Sequence, residues 1–146
     1  MTSTAVGEIV AIHLSTATRA PMRSVSSASV IETGIDGDRR AAPGGTRKAR
    51  QVLLMDRETL ETLDLKPGEI RENITVSGLD FTTLEAGRRV SLGGEAVVEI
   101  TGPCAPCSRM DEIRPGLKDT LQGRRGKLAF VVETGEIGVG DPVGVV

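Results

Sequence analysis

Both cysteines of the chain fall in one stretch, Ile100-Thr101-Gly102-Pro103-Cys104-Ala105-Pro106-Cys107-Ser108-Arg109-Met110. Thiols this close cannot staple distant elements. In a reducing compartment such pairs serve catalysis, redox chemistry or metal binding. Arg109 stands just beyond Cys107, and a neighbouring cation favours the thiolate, the form that attacks electrophiles and binds soft metals. The alternative is that both are small buried hydrophobes, since free cysteine is among the most buried residue types. The β-branched run Ala96 to Ile100 reads as a buried strand. Gly102 and Pro103 are expected to end it, because proline has no N–H for a ladder and glycine permits a sharp turn. The thiols are therefore expected on a loop leaving a strand end.

A second concentration of chemistry is the turn-rich stretch from Thr33 to Arg50, where Arg39, Arg40, Arg47, Lys48 and Arg50 crowd together. Two readings stay open: a solvated loop, or a grip in which guanidinium forks hold phosphate or carboxylate. Arg71-Glu72-Asn73 precedes a short strand. It is either surface or a trio aiming a donor fork and an amide into a shared pocket. His13, the only histidine, reads as an ordinary strand residue rather than a base. No dinucleotide fingerprint or Walker loop exists. A closed zinc site needs four ligands, more than two cysteines and a distant histidine provide. Cys104-Ala105-Pro106-Cys107 has the spacing of a thioredoxin-type dithiol, but that motif opens a good helix inside a βαβ unit. Pro115 and a strand-rich chain speak against it.

These residues must be positioned by a chain of 146 residues, one domain by size (residues 1–146, with 1–5 expected to fray). Phe81 and Phe130 are the only aromatics, so the core must be aliphatic, and base-stacking platforms for nucleic acid are missing. The net charge of −2 gives no field to draw a polyanion. No apolar run is long enough to span a membrane and no signal peptide is visible, so the expected compartment is the cytoplasm. Strands are predicted at Val6–Leu14, Val25–Glu32, Gln51–Met55, Ile74–Val76, Leu79–Leu84, Arg88–Leu92, Glu95–Thr101, Leu128–Glu133 and Pro142–Val146. A helix capped by Asp56 is predicted to run to Leu65. One or two short helices are predicted within Asp111–Gln122, broken at Pro115 and Gly116. Gly123-Arg124-Arg125-Gly126 is a second cationic turn, and Gly135–Pro142 reads as turns. The expected fold is mainly β, a closed or partly closed barrel with one or two short helices.

The order of segments carries a further signal. Gly34-Ile35-Asp36-Gly37-Asp38-Arg39, Arg50-Gln51-Val52, Arg71-Glu72-Asn73-Ile74, Thr101-Gly102-Pro103-Cys104-Ala105-Pro106-Cys107 and Gly140-Asp141-Pro142-Val143 follow one another as in the MOSC family. These are the C-terminal domains of molybdenum cofactor sulfurases, whose other part is pyridoxal phosphate-associated, and they also occur as stand-alone bacterial proteins. The resemblance covers about Val6 to Val146. It implies a β-rich barrel, and Cys107 as the family's reactive cysteine and ligand to molybdenum, with Cys104 a less regular catalytic candidate. It implies that Asp38, Arg39, Arg50, Arg71, Glu72, Asn73 and Arg109 surround a molybdenum cofactor (molybdopterin), whose phosphate suits arginine.

Three functions follow from the resemblance and the spacing. The first is a domain that binds the cofactor or carries sulfur, since a thiolate binds thiophilic metals and holds sulfur as a persulfide. The second is a molybdenum-dependent reductase of N-hydroxylated compounds. The third is a Cys104–Cys107 dithiol redox protein. The implied partners are a sulfur donor (a cysteine desulfurase) or an electron-transfer protein, and a phosphate-bearing small molecule, with neither nucleic acid nor membrane. Many relatives carry His after Gly-Asp-Arg, where this chain has Arg40. That departure places cofactor binding or sulfur carriage ahead of reduction.

Overall fold

The computed structural model describes residues 4–17, 20–42 and 48–146. Its strands are β1 (Thr4–Leu14), β2 (Arg23–Val25), β3 (Ser27–Ile31), β4 (Gly34–Ile35), β5 (Val52–Asp56), β6 (Ile74–Ser77), β7 (Arg89–Leu92), β8 (Ala96–Pro103), β9 (Lys127–Glu133), β10 (Gly135–Gly138) and β11 (Pro142–Val145). Three short helices join them: α1 (Arg57–Thr62), α2 (Arg109–Ile113) and α3 (Leu117–Thr120).

Seven strands close a barrel in the order β1, β6, β5, β9, β8, β7, β11 and back to β1. Closure leaves these strands no edge within the ring. All neighbours are antiparallel except β5 and β6. A parallel pair needs a crossover rather than a hairpin, and residues 57–73 supply it, with α1 at its start. Asp56 starts α1 as expected, its carboxylate accepting from the Thr59 N–H at 3.2 Å and the Thr59 hydroxyl at 2.6 Å. β2 extends the far end of β1, and β10, β3 and β4 form a small second sheet.

The run Val52-Leu53-Leu54-Met55 is buried on both faces, which is why it lacks alternation. Val52 and Leu54 join the barrel interior with Ile9, Ile12, Ile74 and Ile100. Met55 faces a second cluster of Leu60, Ile70, Met110, Leu117 and Leu121, where the helices cover the outer wall. Leu53 packs with Cys104 and Leu128. The functional loops therefore lie against the outside of the barrel wall.

Several expectations need correction. Leu79–Leu84 is no strand: it holds a 3-10 turn at Phe81–Thr83. Asp80 accepts from the Thr82 N–H at 2.9 Å, a local bond that competes with a ladder. The predicted strand Val25–Glu32 breaks at Ser26 into β2 and β3. Gly135–Gly138 is a strand paired with β3, not a turn. The helix after Asp56 ends at Thr62, before Leu65. Gly102 does not end β8, which runs on to stop at Pro103. The register shifts between Ile100 and Gly102, a bulge, and Pro103 still pairs with Lys127. Of the cationic loop, Arg47 and its neighbours 43–46 lie outside the described residues.

Candidate functional site

Because β8 continues past its bulge, Cys104 stays pinned to the wall. Its N–H donates to the Gly126 carbonyl at 3.1 Å, and it is only 2% exposed. Cys107 sits at the end of the loop, exposed, just before α2. Both thiols are free. The motif thus presents one thiol to solvent and one to the interior.

Arg125 covers the buried thiol. Its Nη1 donates to the Cys104 Sγ at 3.4 Å and the Ala105 carbonyl at 3.2 Å, and its Nη2 to the Ile70 carbonyl at 3.1 Å. Only 7% of Arg125 is exposed, and its Nε has no hydrogen-bond partner. The cationic turn was visible in the sequence without a role. The structure supplies one through Gly126, whose φ is +90° and where a Cβ would collide with the Leu54 carbonyl oxygen. The backbone there packs directly on β5, and this draws Arg125 inward.

Glu72 is fully buried. It accepts from the Thr75 hydroxyl at 3.0 Å through Oε2, while Oε1 has no partner. Burial pushes its pKa up, opposed by backbone N–H groups at Gly68 and Glu72, the Thr75 hydroxyl and the charge of Arg125.

Asp38 and Asn73 form a buried node. Asp38 Oδ1 accepts from the Ser15 N–H at 2.6 Å and from Asn73 Nδ2 at 3.0 Å, and Oδ2 from the Arg40 N–H at 3.0 Å. Asn73 also donates to the His13 carbonyl at 3.2 Å and accepts from the Leu53 N–H at 3.0 Å. This node ties β1, β5 and the Arg39–Ala41 turn together.

The arginines divide similarly. Arg39 and Arg50 are exposed, and Arg109 is half-buried. Arg71 turns to residues on either side of positions 18–19, donating to the Ala20 and Ala17 carbonyls and the Ser15 hydroxyl. Arg40 lies between the two groups, its Nη1 donating to the Arg50 carbonyl at 3.4 Å. Burial lowers its pKa, Asp38 and then Cys104 oppose that, and Arg50 and Arg125 reinforce it.

His13, read from sequence as an ordinary strand residue, lines a cavity of about 530 Å³ with Arg71 and Arg109. That cavity adjoins the end of the cysteine loop through Arg109; neither cysteine lines it. Among the described residues, no group of three or more His, Cys, Asp and Glu is placed to hold a metal ion. A metal here would rest on a single thiolate and on ligands from a cofactor.

Residues 45–144 match the model of the MOSC domain. The chain belongs to the MOSC family. The fold of this MOSC domain is similar to the YUAD protein from Bacillus subtilis, with TM-score 0.78 and 18% identity over 99% of this chain and 98% of that one. It is also similar to YiiM from Geobacillus stearothermophilus (TM-score 0.78, 20% identity, 96% of this chain and 75% of that one). YiiM from Escherichia coli gives TM-score 0.73 and 18% identity, over 95% of this chain and 69% of that one. No curated protein sequence matches the chain. No helix among the described residues is long and apolar enough to cross a membrane.

Proposed function

We propose that this MOSC domain binds the molybdenum cofactor, or carries sulfur destined for it, through Cys107. The observation that carries this reading is the division of the two thiols. Cys107 is exposed at the mouth of the loop, whereas Cys104 is buried under Arg125. The chemistry of the side chains supports this reading. One accessible thiol suits a thiophilic metal or a persulfide, and Arg39 and Arg50 are exposed cations able to grip a phosphate. When bound, the cofactor would supply redox chemistry at molybdenum. The chain's own part is to present the sulfur, hold the loop through Arg125 and Cys104, and keep the Arg39–Ala41 turn in place through Asp38 and Asn73. The partner for sulfur carriage is a cysteine desulfurase; for reduction it would be an electron-transfer protein. Arg40 favours binding or carriage over reduction, since a guanidinium does not release a proton near neutral pH as imidazolium does.

The test is metal and pterin analysis of protein purified from a host that makes the cofactor. It is paired with cyanolysis for persulfide after incubation with a cysteine desulfurase and cysteine. Molybdenum and pterin, or thiocyanate released by cyanide, are expected from the wild type and from Cys104→Ser, and neither from Cys107→Ser. A wild type that yields neither signal, or a Cys107→Ser variant that keeps a signal the wild type gives, overturns the reading.

A further inference from the structure

The cavity beside the cysteine loop has no ligand in the reading above. It lies between the loop preceding β2, the turn at Lys66–Arg71 and the start of α2, and its volume of about 530 Å³ suits a small molecule. Pro21, Met22 and Ile113 give it apolar surface, with Met110 buried behind them. His13 adds an imidazole lying close against Gly68, where a Cβ would come within 2.7 Å of the ring. Burial lowers the His13 pKa, so the ring adds hydrogen-bonding capacity rather than charge at neutral pH.

Its two arginines are not equivalent. Arg71 spends its guanidinium on the wall, holding the Ala20 carbonyl at 2.7 Å, the Ser15 hydroxyl at 2.8 Å and the Ala17 carbonyl at 3.3 Å. It does so from a left-handed backbone, φ +67°, a conformation that L side chains rarely adopt. Arg109 is half-buried and makes no side-chain hydrogen bond or ion pair among the described residues. Its charge faces that of Arg71, whose pKa is lowered first by burial and then by Arg109. The acids at the cavity are otherwise engaged: Glu69 accepts from the Lys66 N–H at 2.7 Å, and Glu112 also has a partner. Among the described residues, Lys66, Arg71 and Arg109 against Glu69 and Glu112 leave the lining one charge positive. A single negative charge balances that, and a dianion overshoots it.

We propose that this cavity binds a small organic carboxylate, its acid group held by Arg109 and its apolar body lying among Pro21, Met22 and Ile113, over the buried Met110. The site stands whether or not Cys107 holds a cofactor. Arg71 is its positioning residue, fixing the loop that carries Pro21 and Met22.

The experiment uses the full chain labelled with 13C at the methionine methyls, titrated with benzoate. Met22 and Met110 report from the cavity lining, and Met55, which does not line it and packs behind Met110, should shift less than either. Saturable shifts of Met22 and Met110 are expected. Benzamide and the Arg109→Gln variant should each bind about tenfold more weakly or worse, the worth of one charge-assisted pair. Arg109→Lys should restore part of the loss, and Cys107→Ser should bind benzoate as the wild type does. The proposal is overturned by the absence of saturable shifts, by equal binding of benzamide, or by an unchanged Arg109→Gln. Tighter binding of phenyl phosphate than of benzoate overturns the carboxylate assignment. Loss of benzoate binding in Cys107→Ser returns the ligand to the thiol site.

Discussion

Cys104 and Cys107 stand on one short loop and occupy different media. The first is fixed against the barrel wall by β8, Leu53, Leu128 and Arg125. The second is released to solvent where the loop meets α2. The difference teaches that a spacing motif does not assign roles by itself. The point at which the strand lets go decides which thiol becomes frame and which becomes chemistry. The same division separates Asp38, Glu72, Asn73 and Arg125 inside from Arg39, Arg50 and Arg109 towards the rim.

The largest expected effect is on the frame. Arg125→Ala leaves two carbonyls and a thiol without their donor inside the wall, and should cost about 3 kcal/mol in urea unfolding. Arg124→Ala, next along the turn, removes an exposed side chain bonded to the Thr120 carbonyl and should cost less than about 0.5 kcal/mol. Equal losses would break the comparison. Alkylation by iodoacetamide sharpens it. Cys107 should react about two orders of magnitude faster than Cys104 in the native protein, as a local opening of about 3 kcal/mol implies, and the two rates should converge in urea. Native rates within a factor of about two, below the resolution of that argument, would remove the division.

A smaller effect concerns Glu72. Burial raises its folded pKa above the unfolded value, so the folded state takes up the proton first as pH falls. Its contribution to stability therefore declines as pH rises from the ordinary carboxylate range to the raised value, and is level above it. Urea midpoints measured across that window should show this slope in the wild type and lack it in Glu72→Gln. A slope of equal size in the variant would mean another group is responsible. The smallest effect belongs to the outer surface. Glu99→Gln breaks the Arg89–Glu99 pair, 3.1 Å apart with Arg89 half exposed, and should change stability by about 0.5 kcal/mol or less. A larger loss would mean that this pair helps hold the β7–β8 hairpin.

Much of the barrel was legible in the chain, because local patterns carry it. The Val52–Met55 run, the Asp56 cap and the break at Pro115-Gly116 each act within a few residues. The misreadings came where a local rule met a distant partner. Gly135–Gly138 reads as turns until β3 lies alongside it, and Gly102 reads as a strand end until β9 accepts it past a bulge. The cysteine loop and the guanidinium-rich stretch were legible as chemistry. Arg125 and His13 were not, because nothing near them in sequence shows that Gly126 packs on β5 or that the Lys66–Arg71 turn closes over His13.

The order of residues alone determined that this is an aliphatic β barrel of the MOSC family with two thiols near a strand end and cations before it. Only the folded chain decided which thiol is buried, which arginine holds the wall and which is left without a partner. Those outcomes depend on groups far apart in sequence, and burial and pairing exist only once the barrel has closed.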